Sequence, residues 1–239
     1  MLTHGDIHLN PGPISSLFKF AHWNLNSIVA HDFSRIPLLE AFANQENLKL
    51  FAITESALKN KVPDQKIEIE GFSHIRNDLP ANDRCGGVLL YYKNDLPVQN
   101  RDDLQFSNCI VAEISILKKK TFFIVSYRKP SQTSIEFNQY IETFNLTLDK
   151  IKLENPFMIL VTGDFNAKHN RWYSEDTTDK HGTTIQEMFA HHTLTKTVDQ
   201  PTNITSQTKP CINLVATDQP NLILKTKFSP HFTQLALIN

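Results

Sequence analysis

Apolar residues along the chain fall into short runs bounded by polar turns, with a few longer stretches of helical spacing between them. "LFKFAHW", "LKLFAIT", "KIEIEGF", "GGVLLYY", "CIVAEISI", "KTFFIVSYR" and "FMILV" are β-branched or aromatic and predict strands, and "CINLVAT" and "NLILKTKF" predict closing strands. "DFSRIPLLEAFANQ" predicts a helix with Asp32 or Ser34 near its start. The clearest helix follows Thr133, which fits a capping box with Glu136 and precedes an apolar stripe of Phe137, Tyr140, Ile141, Phe144, Leu148 and Ile151. "TTIQEMFAHH" predicts a shorter one. Strands interspersed with helices point to a single α/β domain. The opening "MLTHGDIHLNPGP" has no such pattern and reads as a Pro-Gly turn segment over residues 1–13, with the domain over 14–239.

Composition narrows the class. A chain of 239 residues can bury one large core, and 40% apolar against 21% charged residues suits a globular protein. A formal net charge of −1 excludes a protein that holds nucleic acid by bulk charge, so any DNA or RNA must be met at a local site. Cys85, Cys109 and Cys211 are widely spaced, which argues against a disulfide framework or a zinc motif and for a reducing, intracellular setting in cytoplasm or nucleus. No stretch reaches the ~18 apolar residues of a membrane span, and the N-terminus lacks the features of a secretory signal. A monomer with no membrane association is expected.

Four predicted strands end in polar residues of a matching kind. "HWNLNS" supplies Asn24 and Asn26, "ITES" supplies Glu55, "SYRKP" supplies Tyr127 and Arg128, and "VTGDFNAKHN" supplies Asp164 and Asn166. Taken singly, each has an ordinary structural explanation: Gly-Asp-x-Asn is a turn, and Glu55 before Ser56 is a helix-start residue. Strand ends on one rim of a sheet converge, however, so the four together can line a cleft. Two carboxylates with amide oxygens make a hard oxygen site suited to Mg²⁺ or Mn²⁺ and poor for zinc. Asn24, Asn166 and Tyr127 are placed to donate to phosphate oxygens, which outlines a metal-assisted phosphodiester hydrolase.

"HWNLNSI", "AITES", "SYRKPS" and "ILVTGDFNAKHNRW" resemble the successive motifs of the endonuclease/exonuclease/phosphatase superfamily. More narrowly, they are similar to the apurinic-type endonuclease domain of non-LTR (LINE-type) retrotransposons, over roughly Phe18 to Leu224. The resemblance implies a two-sheet, mainly antiparallel sandwich flanked by helices, and DNA as partner. It implies Glu55 as metal ligand, Asn24 and Asn26 as supports of metal and phosphate, Asp164 as the residue that activates water, and Asn166 and Tyr127 as phosphate-binding groups. Arg128, His169 and Asn213 are candidate substrate contacts, and Asn213 stands where the family has an aspartate.

The family closes with a Ser-Asp-His strand end, whereas this chain offers Ser229, Pro230 and His231 followed by what reads as an apolar tail. His231 is a candidate remnant of the family's histidine, and no acidic residue follows Asp218, so a truncated or decayed copy is expected. His191 and His192, adjacent on a helix, are expected to point to different faces and to be poor joint ligands. "LKKKTFF" predicts a solvated hairpin turn. "GDIHLNPGP" resembles the tail of a 2A-type ribosome-skipping peptide. Two alternatives to a DNA-nicking enzyme stay open: a superfamily member acting on a substrate other than nucleic acid, and an inactive remnant that binds nucleic acid.

Overall fold

A computed structural model describes residues 17–80, 83, 85–198, 200–202, 210–229 and 232–238, with the side chains of 227–229 and 232–237 excepted. The 2A-like segment and His231 therefore lie outside the described residues. Strands are numbered in chain order. The first sheet holds β1 (Phe18–Asn24), β2 (Leu50–Thr54), β3 (Phe72–Asn77), β4 (Val88–Lys93), β11 (Ile223–Ser229) and β12 (Phe232–Ile238), in the order β11-β12-β1-β2-β4-β3. The second holds β5 (Val98–Asn100), β6 (Cys109–Ile116), β7 (Lys119–Tyr127), β8 (Met158–Asp164), β9 (Thr195–Lys196) and β10 (Asn213–Thr217), in the order β5-β6-β7-β8-β10-β9.

The sheets pack face to face. Phe20 of β1 meets Phe123 of β7 edge-to-face at 5.3 Å, and Leu50, Ala52, Val125, Leu160 and Val215 fill the same core. Helix α1 (Ile36–Gln45) covers the outer face of the first sheet, where Leu39 and Ala43 join Ala21, Phe51 and Ile53. Helices α2 (Ser134–Leu153) and α3 (Lys180–His191) cover the second sheet. Helix α2 starts where its sequence says, with the Thr133–Glu136 capping box formed and Phe137, Tyr140, Phe144, Leu148 and Ile151 buried. Each such side chain contributes roughly 1.5–3 kcal/mol when taken fully out of water.

The expectation of a mainly antiparallel sandwich holds, and the exceptions are informative. Each sheet is mixed, with a single parallel pair among the described strands: β1 with β2, and β7 with β8. Those two pairs build the functional rim. Parallel neighbours end at the same edge, so Asn24 and Thr54 finish side by side in one sheet, and Tyr127 and Asp164 in the other.

Other sequence expectations shift for identifiable reasons. "KIEIEGF" is not a strand until Phe72: Ile67 and Ile69 are buried, but the Ile67 carbonyl accepts from Tyr91 Oη at 2.6 Å instead of joining a ladder. Helix α1 begins after Arg35, close to Ser34 as expected, with proline tolerated in its first turn. Helix α3 begins earlier than predicted because Asp179 caps it, accepting from the Gly182 amide at 2.6 Å. The supposed apolar tail is β12, which pairs antiparallel with both β1 and β11 and completes the first sheet. "LKKKTFF" does contain the expected hairpin turn, with Leu117 and Lys118 both at positive φ (54° and 60°), as a two-residue turn between right-twisted strands requires.

Candidate active site

The rim gathers residues from both sheets around one amide. Asn24 Nδ2 donates to Glu55 Oε1 at 2.8 Å and to Asp164 Oδ2 at 2.7 Å, the second bond spanning 140 residues of sequence and the gap between the sheets. Asn24 Oδ1 accepts from the Asn26 backbone amide at 3.0 Å, which orients the side chain and closes the loop after β1. Beneath it, buried His22 shares a 3.0 Å hydrogen bond with Thr54 Oγ1, and burial drives its pKa down to about 3, so the layer under the rim is neutral.

Asp164 is almost wholly buried, with Oδ1 accepting from the Asn166 amide at 2.9 Å. Burial pushes its pKa up to about 7; the bonds from Asn166 and Asn24 pull the other way, and the neighbouring Glu55 charge raises it further. Tyr127 stands beside Asp164 in the β7–β8 register, and Asn213 faces Asp164 across β8–β10. Burial first, then the charges of Glu55 and its neighbours, hold the Tyr127 phenol far above its ordinary range, so it is a hydrogen-bond donor at neutral pH.

The loops that carry these groups depart from ordinary backbone. Asn26, Ser27, Glu55, Ala57 and Asn166 all have positive φ without being glycine. Neighbouring backbone holds them there: Ser27 N donates to Glu55 O at 2.7 Å, Ile28 N to Ser56 O at 2.9 Å, and Ser56 N to Gly87 O at 3.1 Å. Gly163, just before Asp164, lies so close to β7 that a Cβ there would sit 1.8 Å from the Ser126 carbonyl oxygen, with φ at +152°. Only glycine fits at that point of the Gly-Asp-Phe-Asn string.

The structure brings together Asn24, Glu55, Tyr127, Asp164, Asn166 and Asn213, with Asn26 on the adjoining loop. It gives two candidate substrate contacts, Arg128 and His169, other work. Arg128 is buried and spends its guanidinium on the backbone: Nε donates to Phe165 O at 2.5 Å, one terminal nitrogen to Lys129 O at 3.0 Å and the other to Asn166 O. Arg128 thus fixes the loop that follows Asp164. Asn166 turns its side-chain amide to the Arg128 carbonyl at 2.8 Å, closing the same clamp. His169 is largely buried, accepts from the Arg171 amide at 3.0 Å and lies against Trp172.

Several supporting residues carry no obvious sequence signal. Asn108, itself at positive φ, accepts from Gly87 N at 2.7 Å through Oδ1 and from Tyr127 N at 2.9 Å through its carbonyl, tying the Glu55 side of the rim to the Tyr127 side. Arg35 clamps the carbonyls of Leu25 and Ser27 in the loop after β1. A charged residue at a helix start says nothing about a loop ten residues earlier. The β12 end that pairs near this rim is set by register: Gln234 lies opposite His22, so Phe232 begins the strand beside Asn24.

Two sheets of mixed strands, with polar strand ends meeting at one rim, decide the architecture. This is the endonuclease/exonuclease/phosphatase fold. Residues 121–234 match the family described as endonuclease-reverse transcriptase. The endonuclease domain of TRAS1, a telomere-specific non-LTR retrotransposon, superposes with a TM-score of 0.74 at 14% identity, over 93% of this chain and 98% of that one. The AP endonuclease LMAP from Leishmania major gives 0.77 at 11% identity, over 94% and 88%. The 3′ phosphatase NExo from Neisseria, solved with a product DNA hairpin, gives 0.66 at 13% identity, over 93% and 98%. No curated protein matches significantly. The resemblance drawn from the four strand-end motifs is therefore borne out. Among the described residues, no helix is long and apolar enough to cross a membrane.

Proposed function

We propose that the chain is a metal-dependent phosphodiester hydrolase that nicks DNA, of the kind found in the endonuclease domain of a non-LTR retrotransposon. One observation carries this reading: the Asn24 amide bridging Glu55 and Asp164 across the two sheets. Two carboxylates from different sheets, one of them buried, are held together by a single neutral donor. Such a pair is unfavourable unless a proton or cation accompanies it. The donor set is all oxygen and amide, so it fits Mg²⁺ or Mn²⁺. Glu55 would be the main ligand, with Asn26 on the adjoining loop.

When bound, the cation would polarise a phosphoryl oxygen and ease departure of the alkoxide. The chain's own residues do the rest. Asp164, fixed through both carboxylate oxygens, orients a water for attack and accepts its proton. Tyr127, a phenol held protonated, donates to a phosphate oxygen as negative charge accumulates there. Asn24 keeps the two carboxylates at fixed separation. Arg128 and Asn166 hold the Asp164 loop rigid so that these groups need no rearrangement.

His231, the candidate remnant of the histidine in the family's closing motif, directly precedes β12 in sequence, and Pro230 stands where that motif has aspartate. A histidine without its acidic partner is a poorer acid–base group, so hydrolysis is slow. This same gap favours the second reading, an inactive remnant that binds DNA. Relaxation of supercoiled plasmid by purified protein in Mg²⁺ separates the two. Weak nicking that EDTA and Asp164→Ala abolish supports the enzyme; salt-sensitive binding with no cleavage at any protein concentration rejects it.

A further inference from the structure

A second cluster lies on the helical face, away from the rim. Asp149 of α2 and His191 and His192 at the end of α3 bring one carboxylate oxygen and two ring nitrogens within 4.8 Å of one another. The adjacent histidines were expected to diverge. They converge because α3 ends at His191 and His192 is its C-cap, with ψ turned to 10°, which leaves the two rings in edge-to-face contact at 4.8 Å.

His192 is the informative residue. Its side chain is fully buried, and Nε2 lies 2.9 Å from Asn145 Oδ1. A carbonyl oxygen only accepts, so Nε2 carries the ring hydrogen. Nδ1 is then a bare lone pair; it is buried, has no hydrogen-bond partner, and faces the Asp149 carboxylate at 3.9 Å. Two acceptors thus face each other, and a cation satisfies both.

We propose that Asp149, His191 and His192 form a zinc site that joins the end of α3 to α2. Two imidazoles and one carboxylate are a borderline donor set that suits Zn²⁺ and discriminates against Mg²⁺. Ligands about 2.1 Å from a tetrahedral ion lie ~3.4 Å from each other. The 3.9 Å between His192 and Asp149 is near that value, and the exposed side chains of Asp149 and His191 are free to close the remainder. Asn145 acts as the outer partner that fixes the tautomer and aims Nδ1. The site is chemically distinct from the all-oxygen rim and stands or falls independently of it.

The experiment uses the full chain carrying Glu55→Gln and Asp164→Asn, so that the rim cannot hold the ion. Metal-free protein is titrated with Zn²⁺ by calorimetry and, separately, with Co²⁺ by visible absorption. One Zn²⁺ per chain is expected, unchanged by millimolar Mg²⁺, together with Co²⁺ d–d bands of a tetrahedral nitrogen–oxygen site. Outer partners alone are worth about 10–100-fold in metal affinity, so Asn145→Ala should weaken binding by about that much. His191→Ala and Asp149→Asn should each weaken it at least as far. Both residues are exposed, so these variants keep the fold, which circular dichroism verifies. Absence of saturable binding, or affinity unchanged by His191→Ala or by Asp149→Asn, overturns the proposal.

Discussion

Replacing Asp164 by asparagine should make the metal-free protein gain stability relative to wild type as pH rises, while removing its chemistry. The magnitude follows from the site. Burial raises the Asp164 pKa from its ordinary 3.8 to about 7. The folded state therefore holds a proton that the unfolded chain has released across that window. A raised carboxyl pKa contributes stability that is fully present below the unfolded value and is lost as pH climbs through the folded one. Between pH 5 and the folded pKa lie two pH units at 1.36 kcal/mol each, so the loss approaches about 2.7 kcal/mol and levels off by about pH 8. The substituted amide does not titrate. It would place a donor against Asn24 Nδ2, at a cost that does not vary with pH, so the comparison between two pH values cancels it. The assay is urea unfolding of wild type and Asp164→Asn in EDTA at pH 5 and pH 8. The expected result is a variant-minus-wild-type stability that rises by about 2–3 kcal/mol between them, or roughly 5–10 °C in Tm for a chain of this size. Added Mg²⁺ should return most of that difference to the wild type at pH 8 by binding only the charged, folded site. A difference independent of pH would show that Asp164 is ionised as easily in the fold as out of it, and the account of a strained carboxylate pair would be wrong.

The other expectations are simpler. Arg128→Lys should cost about 2–4 kcal/mol in urea unfolding, because two buried carbonyls lose a donor that a point charge cannot replace; unchanged stability with a raised KM would instead make Arg128 a substrate contact. Gly163→Ala should fail to give soluble folded protein, since its Cβ would fall 1.8 Å from the Ser126 oxygen, and a well-folded variant with normal melting would refute the close approach. Thr133→Ala should lower stability by about 1 kcal/mol through loss of the α2 cap, with nicking unaffected, as read from parallel melts and plasmid assays. Pro230→Asp, which creates the Ser-Asp-His string, should speed Mg²⁺-dependent nicking by about 10²-fold or more; no change in rate would separate slow hydrolysis from the missing carboxylate.

The legible parts of the fold were those in which local pattern and tertiary role agree. Helix α2 shows its cap and its stripe in the sequence, and both are formed. The buried strands read directly because a run such as "FMILV" has both faces covered, one by the opposite sheet and one by helices. "KIEIEGF" misled because alternation records burial, not pairing, and Ile67 and Ile69 are buried from an irregular segment. Strand β12 was missed although it follows β11 as its antiparallel neighbour, because it is inserted beside β1, more than two hundred residues earlier, and nothing within "FTQLALI" announces that register. For the site, strand ends told which residues share the rim but not which way they face. Arg128 and His169 sit at the right ends and turn inward to the backbone and to Trp172.

That division has a physical cause, and it bears on function. Residues that make a fold obey rules of spacing and propensity, so sequence reveals them. Residues that make a site break those rules, and the breakage is visible only in coordinates. Glu55 is the sharpest case: an L-residue with a Cβ held at φ 54°, where the left-handed region costs about 1–2 kcal/mol. Selection for stability alone would place glycine there, as it does at Gly86 and Gly87 across the same hydrogen bonds. Asp164 is the parallel case in electrostatics, a carboxylate buried beside another. Both carboxylates accept from the one Asn24 amide, and both lower the stability of the metal-free chain. Strain and charge concentrated on the two carboxylates that one amide joins are what a pre-organised cation site requires. A turn accounts for positive φ alone, as at Leu117 and Lys118, but not for a buried carboxylate beside another.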